Sequence, residues 1–215
     1  MDRIKKLCSY LSPCKIFADV ACDHGYCAEF MLKNNFCESA VISDISEKSL
    51  FKAQSLLSDY IKSGKCIAVC CDGLEKIEQT VDEVLIAGIC GEEIVKILKN
   101  SYIPKSFVFQ PMKNAEVLRE YLLSRGCQIV TDDIFTDEKN YYFVITGMRF
   151  GKTQAYNKAQ IKYGKDSLKN PVFYEYLKEE LSKKKSYLTR KMSEENRKLL
   201  QGEVFFMEEI LSGET

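Results

Sequence analysis

The chain has 215 residues, of which 46% are hydrophobic, and a formal net charge of zero. This is enough apolar material for one domain of ordinary size plus an appendage. No apolar run approaches the roughly 18–20 residues that a membrane span needs, and the start of the chain lacks the pattern of a secretory signal peptide. We therefore expect a cytoplasmic protein without membrane contact, and we expect it to be a monomer.

The cysteines and the single histidine argue against a metal site or a disulfide framework. Ten cysteines are scattered over predicted strands and helices, and no two of them form a C-x-x-C pair. With His24 as the only histidine, a zinc site would depend almost wholly on sulfur ligands. We predict a reduced protein without metal, in which cysteine serves as a small core residue.

Strand-like and helix-like segments alternate through residue 149. Several strand candidates are continuous apolar runs, as expected when helices cover both faces of a sheet. The seven candidates are residues 15–21, 40–44, 66–71, 83–87, 106–110, 128–134 and 141–148. Apolar residues at helical spacing predict helices over residues 47–63, 92–100 and 114–124. The last of these helices is predicted to be capped by Asn114.

No helix is predicted between the last two strand candidates. Residues 135–141 indicate a hairpin connection, so the sheet should end in an antiparallel pair. Alternating strands and helices that close in this way are typical of an α/β protein with the Rossmann-like, seven-stranded methyltransferase sheet. We predict that this sheet forms a first domain over residues 1–150.

Residues 151–215 are predicted to form a second, helical domain. Apolar residues recur there at spacings of four and seven, which indicates a coiled-coil-like seam. Two helices are expected, with a break somewhere between Ser193 and Gly202. The predicted seam consists of Leu177, Leu181, Leu188, Met192, Leu199, Phe206 and Ile210.

Charge is distributed unevenly along the chain. Residues 1–150 carry a net charge of −3, residues 151–191 a net charge of +7, and residues 192–215 a net charge of −4. A basic segment in a neutral protein is either a phosphate-binding face or a solvated helix surface, and composition alone favours neither.

The segment from Phe17 to Tyr26 is the first candidate site. An apolar run carries Asp19 near its end, and Asp23 and His24 follow in a short turn. In doubly wound α/β proteins, nucleotide-like ligands bind at the carboxyl end of the first strand. Paired carboxylates suit a ligand with hydroxyls, amines or positive charge, and S-adenosylmethionine has such groups. We interpret His24 as a packing or hydrogen-bonding residue and not as a titrating base.

The second and third strand ends also carry candidate ligand contacts. Asp44, which Ile45 follows, is placed to accept hydrogen bonds from ribose hydroxyls. Capping of the next helix is the other interpretation of Asp44, although Ser46 can serve there. Asp72 can accept from an adenine amino group while Gly73 lets the backbone bend past the ring; the alternative is a plain turn.

The fourth and fifth strands end in Ala87-Gly88 and in Gln110-Pro111-Met112. The glycine allows close approach of the backbone to a ligand, and Gln110 is a candidate for holding a substrate base. Each motif is also explained by a turn, but the ends of neighbouring parallel strands line one crevice. The sequence has neither a G-x-x-x-x-G-K-[ST] loop nor a G-x-G-x-x-G turn after the first strand, which disfavours an NTPase and a dinucleotide oxidoreductase.

The order of these motifs resembles the bacterial tRNA (adenine(22)-N1)-methyltransferase family, often called TrmK. The family's A-D-I-G-S-D-H-A-Y-like segment is matched by residues 18–26 and its G-D-G-L by residues 71–74. Its A-G-M-G-G is matched by residues 87–91 and its Q-P-N by residues 110–112. The resemblance spans nearly the whole chain, and the D-H-x-Y piece is its most specific part.

The resemblance implies methylation of N1 of an adenine in tRNA, adenine 22 by analogy, with S-adenosyl-L-methionine as cofactor and tRNA as partner of the helical domain. It assigns to the cofactor Asp19, Ala21, Asp44, Ile45, Asp72, Gly73, Ala87 and Gly88. It assigns to the reacting adenine Asp23, Tyr26 and Gln110. Asp23 is expected near N6, where its charge would stabilise the cationic product.

Three positions depart from the family pattern. Ala21 and Cys90 replace glycines, and Met112 replaces the asparagine of Q-P-N. Two alternatives stay open, and these changes favour only the first of them. One is a degenerate, non-catalytic RNA-binding protein, and the other is a small-molecule or protein methyltransferase on the same fold.

Overall fold

The structure, a computed structural model, describes residues 3–213, so the outer ends of the two predicted domains lie outside the described residues. The described strands are β1 (Cys14–Val20), β2 (Cys37–Asp44), β3 (Cys66–Cys70), β4 (Glu83–Ala87), β5 (Ser106–Gln110), β6 (Gln128–Asp137) and β7 (Asn140–Met148). The described α-helices are α1 (Arg3–Cys8), α2 (Tyr26–Lys33), α3 (Glu47–Leu56), α4 (Ser58–Lys62), α5 (Gly91–Asn100), α6 (Ala115–Ser124), α7 (Lys158–Tyr163), α8 (Pro171–Leu188) and α9 (Glu194–Ser212).

The strands form one seven-stranded sheet in the order β3-β2-β1-β4-β5-β7-β6. Strands β1 to β5 are parallel, and β7 is antiparallel to both of its neighbours. The predicted α/β class, strand number and antiparallel closing pair are therefore confirmed. The strand order reverses between β1 and β4, so a crevice opens there at the carboxyl ends of the strands.

Apolar runs in the strands explain why both faces of the sheet are covered. One core packs α1, α2 and α3 on β1 and β2, with Phe17, Met31 and Ile42 fully buried. The other packs α5 and α6 on β4 and β5, with Ile86 and Phe109 fully buried. Burial of each such side chain contributes about 1.5–3 kcal/mol to the free energy of unfolding, and the paired cores hold the strand ends in register.

Several predicted boundaries change in the structure. The helix expected over residues 47–63 is divided into α3 and α4, because the chain bends at the buried Leu57. Asn114 is the N-cap residue of α6, as predicted, but its backbone is left-handed and its side chain makes no capping hydrogen bond. The connection between β6 and β7 is only the two-residue turn Glu138-Lys139, because Asp137 pairs directly with Asn140.

The C-terminal helices pack on the end of the sheet. Phe173 and Leu177 of α8 and Met207 of α9 share a core with Ile134 of β6. A buried ion pair fastens this region, since Arg119 Nε on α6 lies 2.8 and 2.9 Å from the two carboxylate oxygens of Asp132 on β6. Arg119 Nη1 also donates to the Ile161 and Lys162 carbonyls of α7 at 3.2 and 3.0 Å. The helical region is thus joined to the sheet by both apolar and charged contacts.

Helices α8 and α9 form an antiparallel hairpin. Arg197 Nη1 donates to the Leu188 carbonyl at 2.7 Å, and Lys184 Nζ lies 2.6 Å from Glu203 Oε2. The predicted break between Ser193 and Gly202 is wrong, because Ser193 already caps α9 by accepting a hydrogen bond from the Asn196 amide at 3.3 Å. The break occupies residues 189–193, and Gly202 lies inside α9 in open space.

The predicted seam is correct for α8 but not for much of α9. Leu177 and Ile210 are buried, whereas Leu199 is 66% exposed. The buried stripe of α9 is Val204, Met207 and Ile210. Helix α9 packs against α7 as well as α8, since Phe206 stacks on Tyr163 of α7 with ring centroids 6.3 Å apart. Contact with two helices needs a wider apolar face than a two-helix seam. Among residues 3–213, no helix is both long and apolar enough to cross a membrane.

Candidate active site

The turn after β1 forms the floor of the crevice. Ala21, Asp23 and Gly25 all have left-handed backbone conformations, with φ of 56°, 46° and 72°. At Gly25 an added Cβ would lie 3.0 Å from the Ala53 side chain of α3, so glycine permits close packing there. Ala21 pays a conformational cost of about 1–2 kcal/mol for this backbone, and it occupies the position where the resembled family has glycine.

Asp19 is a buried carboxyl at the carboxyl end of β1. It is 5% exposed, and its Oδ2 accepts a hydrogen bond from the Ala28 amide of α2 at 3.2 Å. Burial raises the pKa of Asp19 to about 7, the Ala28 amide lowers it, and the nearby charge of Asp44 adds to the rise. A cationic ligand group would offset the cost of ionising this carboxyl.

Asp44 connects the turns after β1 and β2. Its Oδ1 accepts from the Ser46 amide at 2.9 Å, and its Oδ2 accepts from the Asp23 amide at 3.2 Å. Ser46 caps α3, since its hydroxyl accepts from the Ser49 amide at 3.3 Å. The carboxylate of Asp44 is therefore not needed as the cap and faces the crevice.

Asp23 is more exposed than the other two acids, at 54% for its side chain. Its Oδ1 lies 3.0 Å from Lys52 Nζ, and its Oδ2 lies 2.7 Å from His24 Nδ1. The hydrogen bond from Lys52 and the charge of His24 lower the pKa of Asp23, so it is an anion at neutral pH. His24 also stacks on Tyr26 with ring centroids 5.3 Å apart, as a packing and hydrogen-bonding residue would.

Two adjoining cavities occupy the crevice. The larger, of about 500 Å³, reaches from Asp44 to α1. The smaller, of about 220 Å³, contains Asp72 and Gly73 in its wall. Both are lined by Ala21, Asp44, Ile45 and Ile89. The larger cavity is also lined by the remaining predicted residues Asp19, Asp23, Tyr26, Ala87 and Gly88.

The smaller cavity depends on a glycine. Gly73 has a φ of +58°, and an added Cβ would lie 2.5 Å from the Ile97 side chain of α5. The backbone therefore passes close to α5, and the apolar side chains of Ile45 and Ile97 both line the cavity. Apolar walls with the Asp72 carboxylate among them suit a purine ring.

Gln110 does not line either cavity. It is fully buried, and its Oε1 accepts hydrogen bonds from Nε and Nη2 of Arg3 at 3.0 and 2.5 Å. Its Nε2 donates to the Pro111 carbonyl at 3.0 Å and to the Met112 sulfur at 3.5 Å. Because its polar atoms are engaged, we place Gln110 behind the site and not against a substrate base.

Arg3 is a site residue that the sequence reasoning missed. It belongs to α1, and with Ile4 and Leu7 it closes one side of the larger cavity. The sequence could not show that Arg3 belongs to the site, because its partners Gln110 and Asp137 lie 107 and 134 residues away along the chain. The local sequence gave no hint either, because α1 also contains the basic residues Lys5 and Lys6.

The other two departures from the family pattern are accommodated locally. The sulfur of Met112 accepts the hydrogen bond from Gln110 Nε2 at 3.5 Å. Cys90 has an ordinary extended backbone, and its amide donates to Glu93 Oε2 at 2.8 Å at the start of α5. The adjacent Gly91 is the one that must be glycine, because an added Cβ would lie 2.2 Å from the Asn114 carbonyl oxygen. Within the described range, no group of three potential metal ligands is present, and the ten cysteines are unpaired.

A doubly wound sheet with an antiparallel last strand, three acids and tight turns over one crevice define the Rossmann-like methyltransferase class. The chain belongs to the methyltransferase domain family. The family model described as "Methyltransferase domain" matches residues 1–145, which contain every predicted site residue.

Two curated relatives match over somewhat less than two thirds of the chain. A protein of Mycoplasma pneumoniae named "Putative tRNA methyltransferase" is 31% identical over 142 residues, which cover 65% of this chain and 66% of that protein. A Mycoplasma genitalium protein of similar name, MG248, is 27% identical over 139 residues, which cover 61% of each chain. The match thus spans slightly less than two thirds of these relatives.

Solved structures match over nearly the full length. TrmK from M. capricolum, in complex with S-adenosyl-homocysteine, superposes with a TM-score of 0.89 at 21% identity and covers 99% of this chain and 97% of its own. The M1A22 tRNA methyltransferase TrmK of B. subtilis superposes with a TM-score of 0.85 at 21% identity, covering 97% of both chains. The shared fold therefore includes the C-terminal helices.

Proposed function

We propose that this chain transfers a methyl group from S-adenosylmethionine to N1 of an adenine in tRNA, with adenine 22 as the target by resemblance. The observation that carries the proposal is the pair of adjoining cavities, with buried Asp19 in the wall of the larger one and Asp44 in the wall of both. The relatives named as tRNA methyltransferases support the substrate class, and the S-adenosyl-homocysteine bound to M. capricolum TrmK supports the cofactor.

The cavities fit the shape and charges of this cofactor. The smaller one, with Asp72 and Gly73, suits the adenine, and Asp44 is placed to accept from the ribose hydroxyls. The larger cavity, with Asp19, Ala87 and Gly88, suits the cationic amino-acid end. The raised pKa of Asp19 fits this assignment, because an ammonium group would compensate its buried charge.

S-adenosylmethionine, when bound, supplies an electrophilic methyl group on a positively charged sulfur. Adenine N1 is already a nucleophile, so the main task of the protein is to align it with that methyl group. N1 normally faces a pairing partner, and the base must be unstacked at a cost of about a few kcal/mol. The rim of the larger cavity, with Tyr26 as an exposed ring beside Asp23, offers a surface for the extruded base.

Asp23 is proposed to act on the product charge. Methylation at N1 leaves a cationic adenine, and the Asp23 carboxylate stays ionised at neutral pH. An anion near N6 stabilises that cation and can accept the N6 proton. Lys52 and His24 hold the carboxylate in place, so its orientation exists before the substrate binds.

The basic segment of residues 151–191 is proposed to contribute to tRNA binding. Its lysines are not equally available, because Lys183, Lys184 and Lys185 lie within 2.8 Å of Glu180, Glu203 and Glu208. Arg190 and Lys191, at the tip of the α8–α9 hairpin, are exposed. We expect the RNA contacts at the tip and on the crevice rim and not along the middle of α8.

The proposal is tested by transfer of tritiated methyl groups to undermethylated tRNA, followed by nucleoside analysis. We expect 1-methyladenosine as the product. Asp44→Ala should lose cofactor affinity about tenfold or more, because hydrogen bonds to a charged group contribute roughly 1.5–3 kcal/mol. Asp59→Ala, an exposed acid on α4, is the matched control. A different methylated nucleoside, or cofactor binding without any transfer to tRNA, would refute the proposal.

A further inference from the structure

Arg3 brings a positive charge to the wall of the larger cavity. It lies on α1 and lines the cavity together with Asp19 and Gly88. Its Nη2 is so near the turn after β4 that a Cβ added to Gly88 would lie 3.2 Å from it. The guanidinium therefore reaches from α1 to the carboxyl ends of the central strands.

Neutral groups hold this guanidinium in place. Nε and Nη2 donate to the same amide oxygen of Gln110 at 3.0 and 2.5 Å, and the guanidinium carbon lies 5.2 Å from the centre of the Tyr142 ring. The Arg3 backbone amide donates to Asp137 Oδ2 at 3.0 Å. For residues 3–213, no carboxylate lies within ion-pairing distance of the guanidinium. The charge is thus oriented but not neutralised.

Asp19 lines the same cavity at the carboxyl end of β1, which is hydrogen-bonded to β4, the strand that Gly88 follows. Cys27 of α2 also lines this cavity, and the charges of Asp19 and Arg3 both act on its thiol. The hydrogen bond with Cys8 and burial raise the pKa of this thiol, the Asp19 charge raises it further, and the Arg3 charge lowers it. Asp44 lines both cavities, and its charge also acts on Asp19. The larger cavity therefore has the Asp19 carboxyl and the Arg3 guanidinium in its wall, at the ends of two neighbouring strands.

We propose that Arg3 and Asp19 recognise the α-amino-acid end of the cofactor as a zwitterion, Arg3 through its carboxylate and Asp19 through its ammonium group. Gln110 is a positioning residue that holds Arg3. This inference rests on the proposed function and names the residues that bind the amino-acid end of the proposed cofactor. A guanidinium is suited to this role, because its planar donors match a carboxylate and its charge persists at any physiological pH.

The test compares two ligands that differ only at this end. S-Adenosyl-homocysteine carries the amino-acid group, and 5′-methylthioadenosine has the same nucleoside and thioether without it. Arg3→Met should weaken S-adenosyl-homocysteine binding roughly tenfold to a hundredfold in calorimetry. Its affinity for 5′-methylthioadenosine should stay unchanged, which also shows that the variant is folded. Lys6→Met removes a charge from the same helix, where Lys6 lies over the Tyr10 ring, and should change neither affinity.

Gln110→Glu separates positioning by Gln110 from a merely structural role. A carboxylate can accept the same two hydrogen bonds from Arg3, so a structural role would be preserved. It would also neutralise the guanidinium, so we expect S-adenosyl-homocysteine affinity to fall while 5′-methylthioadenosine affinity holds. Unchanged S-adenosyl-homocysteine affinity in this variant would overturn the role of Gln110.

The outcomes for Arg3 distinguish this inference from the function on which it rests. Equal losses for both ligands in Arg3→Met would make Arg3 a wall residue and overturn the inference. Unchanged S-adenosyl-homocysteine affinity in Arg3→Met would overturn it as well. Failure of the unmodified protein to bind either ligand would instead overturn the proposed function.

Discussion

The crevice and the α8–α9 hairpin hold their charged groups in different ways. In the crevice, Asp19 and Asp44 are fixed by backbone amides, which orient a carboxylate without neutralising it. On the hairpin, Lys184 and Lys185 are paired with Glu203 and Glu208 of the facing helix. The two regions show that net charge along a sequence does not measure the charge available to a ligand. The charge that is available depends on whether each group is already paired with an opposite charge.

The largest expected effect concerns Asp23, a crevice acid that is held by side chains and not by backbone amides. Asp23→Asn keeps the shape of the residue and removes its charge, so methyl transfer to tRNA should fall roughly 10²–10⁴-fold while cofactor affinity holds. His24→Ala is the matched variant and should retain most of the activity. If His24→Ala abolishes transfer and Asp23→Asn does not, the two roles are reversed.

Breaking the buried ion pair between Arg119 and Asp132 should have nearly as large an effect. Asp132→Ala leaves the Arg119 charge uncompensated in a site without solvent, which should lower the free energy of unfolding by about 3–5 kcal/mol. Urea denaturation measures this loss. Asp59→Ala, whose pair with Lys62 is exposed, should change stability by less than about 0.5 kcal/mol. Similar small losses in both variants would mean that Arg119 reaches water.

The pH dependence of ligand binding tests whether the Asp19 carboxylate is free to pair with the ligand. With its pKa raised to about 7, Asp19 loses its charge as the pH falls. S-Adenosyl-homocysteine affinity should therefore drop roughly tenfold or more from about pH 7.5 to about pH 5.5, since the protonated acid cannot pair with an ammonium group. The affinity of Asp19→Asn should be lower and nearly flat over this range. An equally steep profile in Asp19→Asn would assign the titration to another group.

A smaller effect is expected at the strained turn of the crevice. Ala21→Gly relieves a φ of 56°, so the free energy of unfolding should rise by about 0.5–1 kcal/mol, less than the strain because glycine loses more chain entropy. Ala53→Gly, inside α3, should instead cost about 0.5–1 kcal/mol. Thermal unfolding distinguishes the two, and a loss of stability in Ala21→Gly would show that the Ala21 methyl group packs favourably.

The smallest effect is expected on the hairpin. A variant with Lys183, Lys184 and Lys185 changed to Gln should bind tRNA within about twofold of the unmodified protein, because their charges are already paired. A variant with Arg190→Gln and Lys191→Gln should bind more weakly and with a shallower salt dependence, about 0.9 less per lost phosphate contact. If the first variant bound tRNA more weakly than the second, the RNA-binding surface would lie along the middle of α8.

The sequence predicted the fold and most of the crevice for a physical reason. Continuous apolar runs define buried parallel strands, and the ends of such strands meet at one edge. Asp19, Asp44 and Asp72 could therefore be placed together without coordinates. Their assignment to a cofactor remains a prediction, as do the predicted domain boundaries.

The sequence did not predict contacts between side chains that are distant along the chain. Gln110 looked like a substrate contact because it ends a strand, but its side chain turns inward to Arg3. The lysines of α8 counted as a basic patch because their partners lie on α9. The predicted break between Ser193 and Gly202 lies too late in the chain, because the Ser193 cap determines where α9 begins.

The short helix α1 affects the order in which parts of the protein unfold. Six residues are too few for a stable isolated helix, so α1 depends on contacts with residues more than a hundred positions away. Such a segment should detach before the sheet unfolds and belong to the least protected part of the molecule in hydrogen exchange. A ligand that holds Arg3 would slow exchange in α1, so binding at the crevice can be followed through amide protons of a helix outside the sheet.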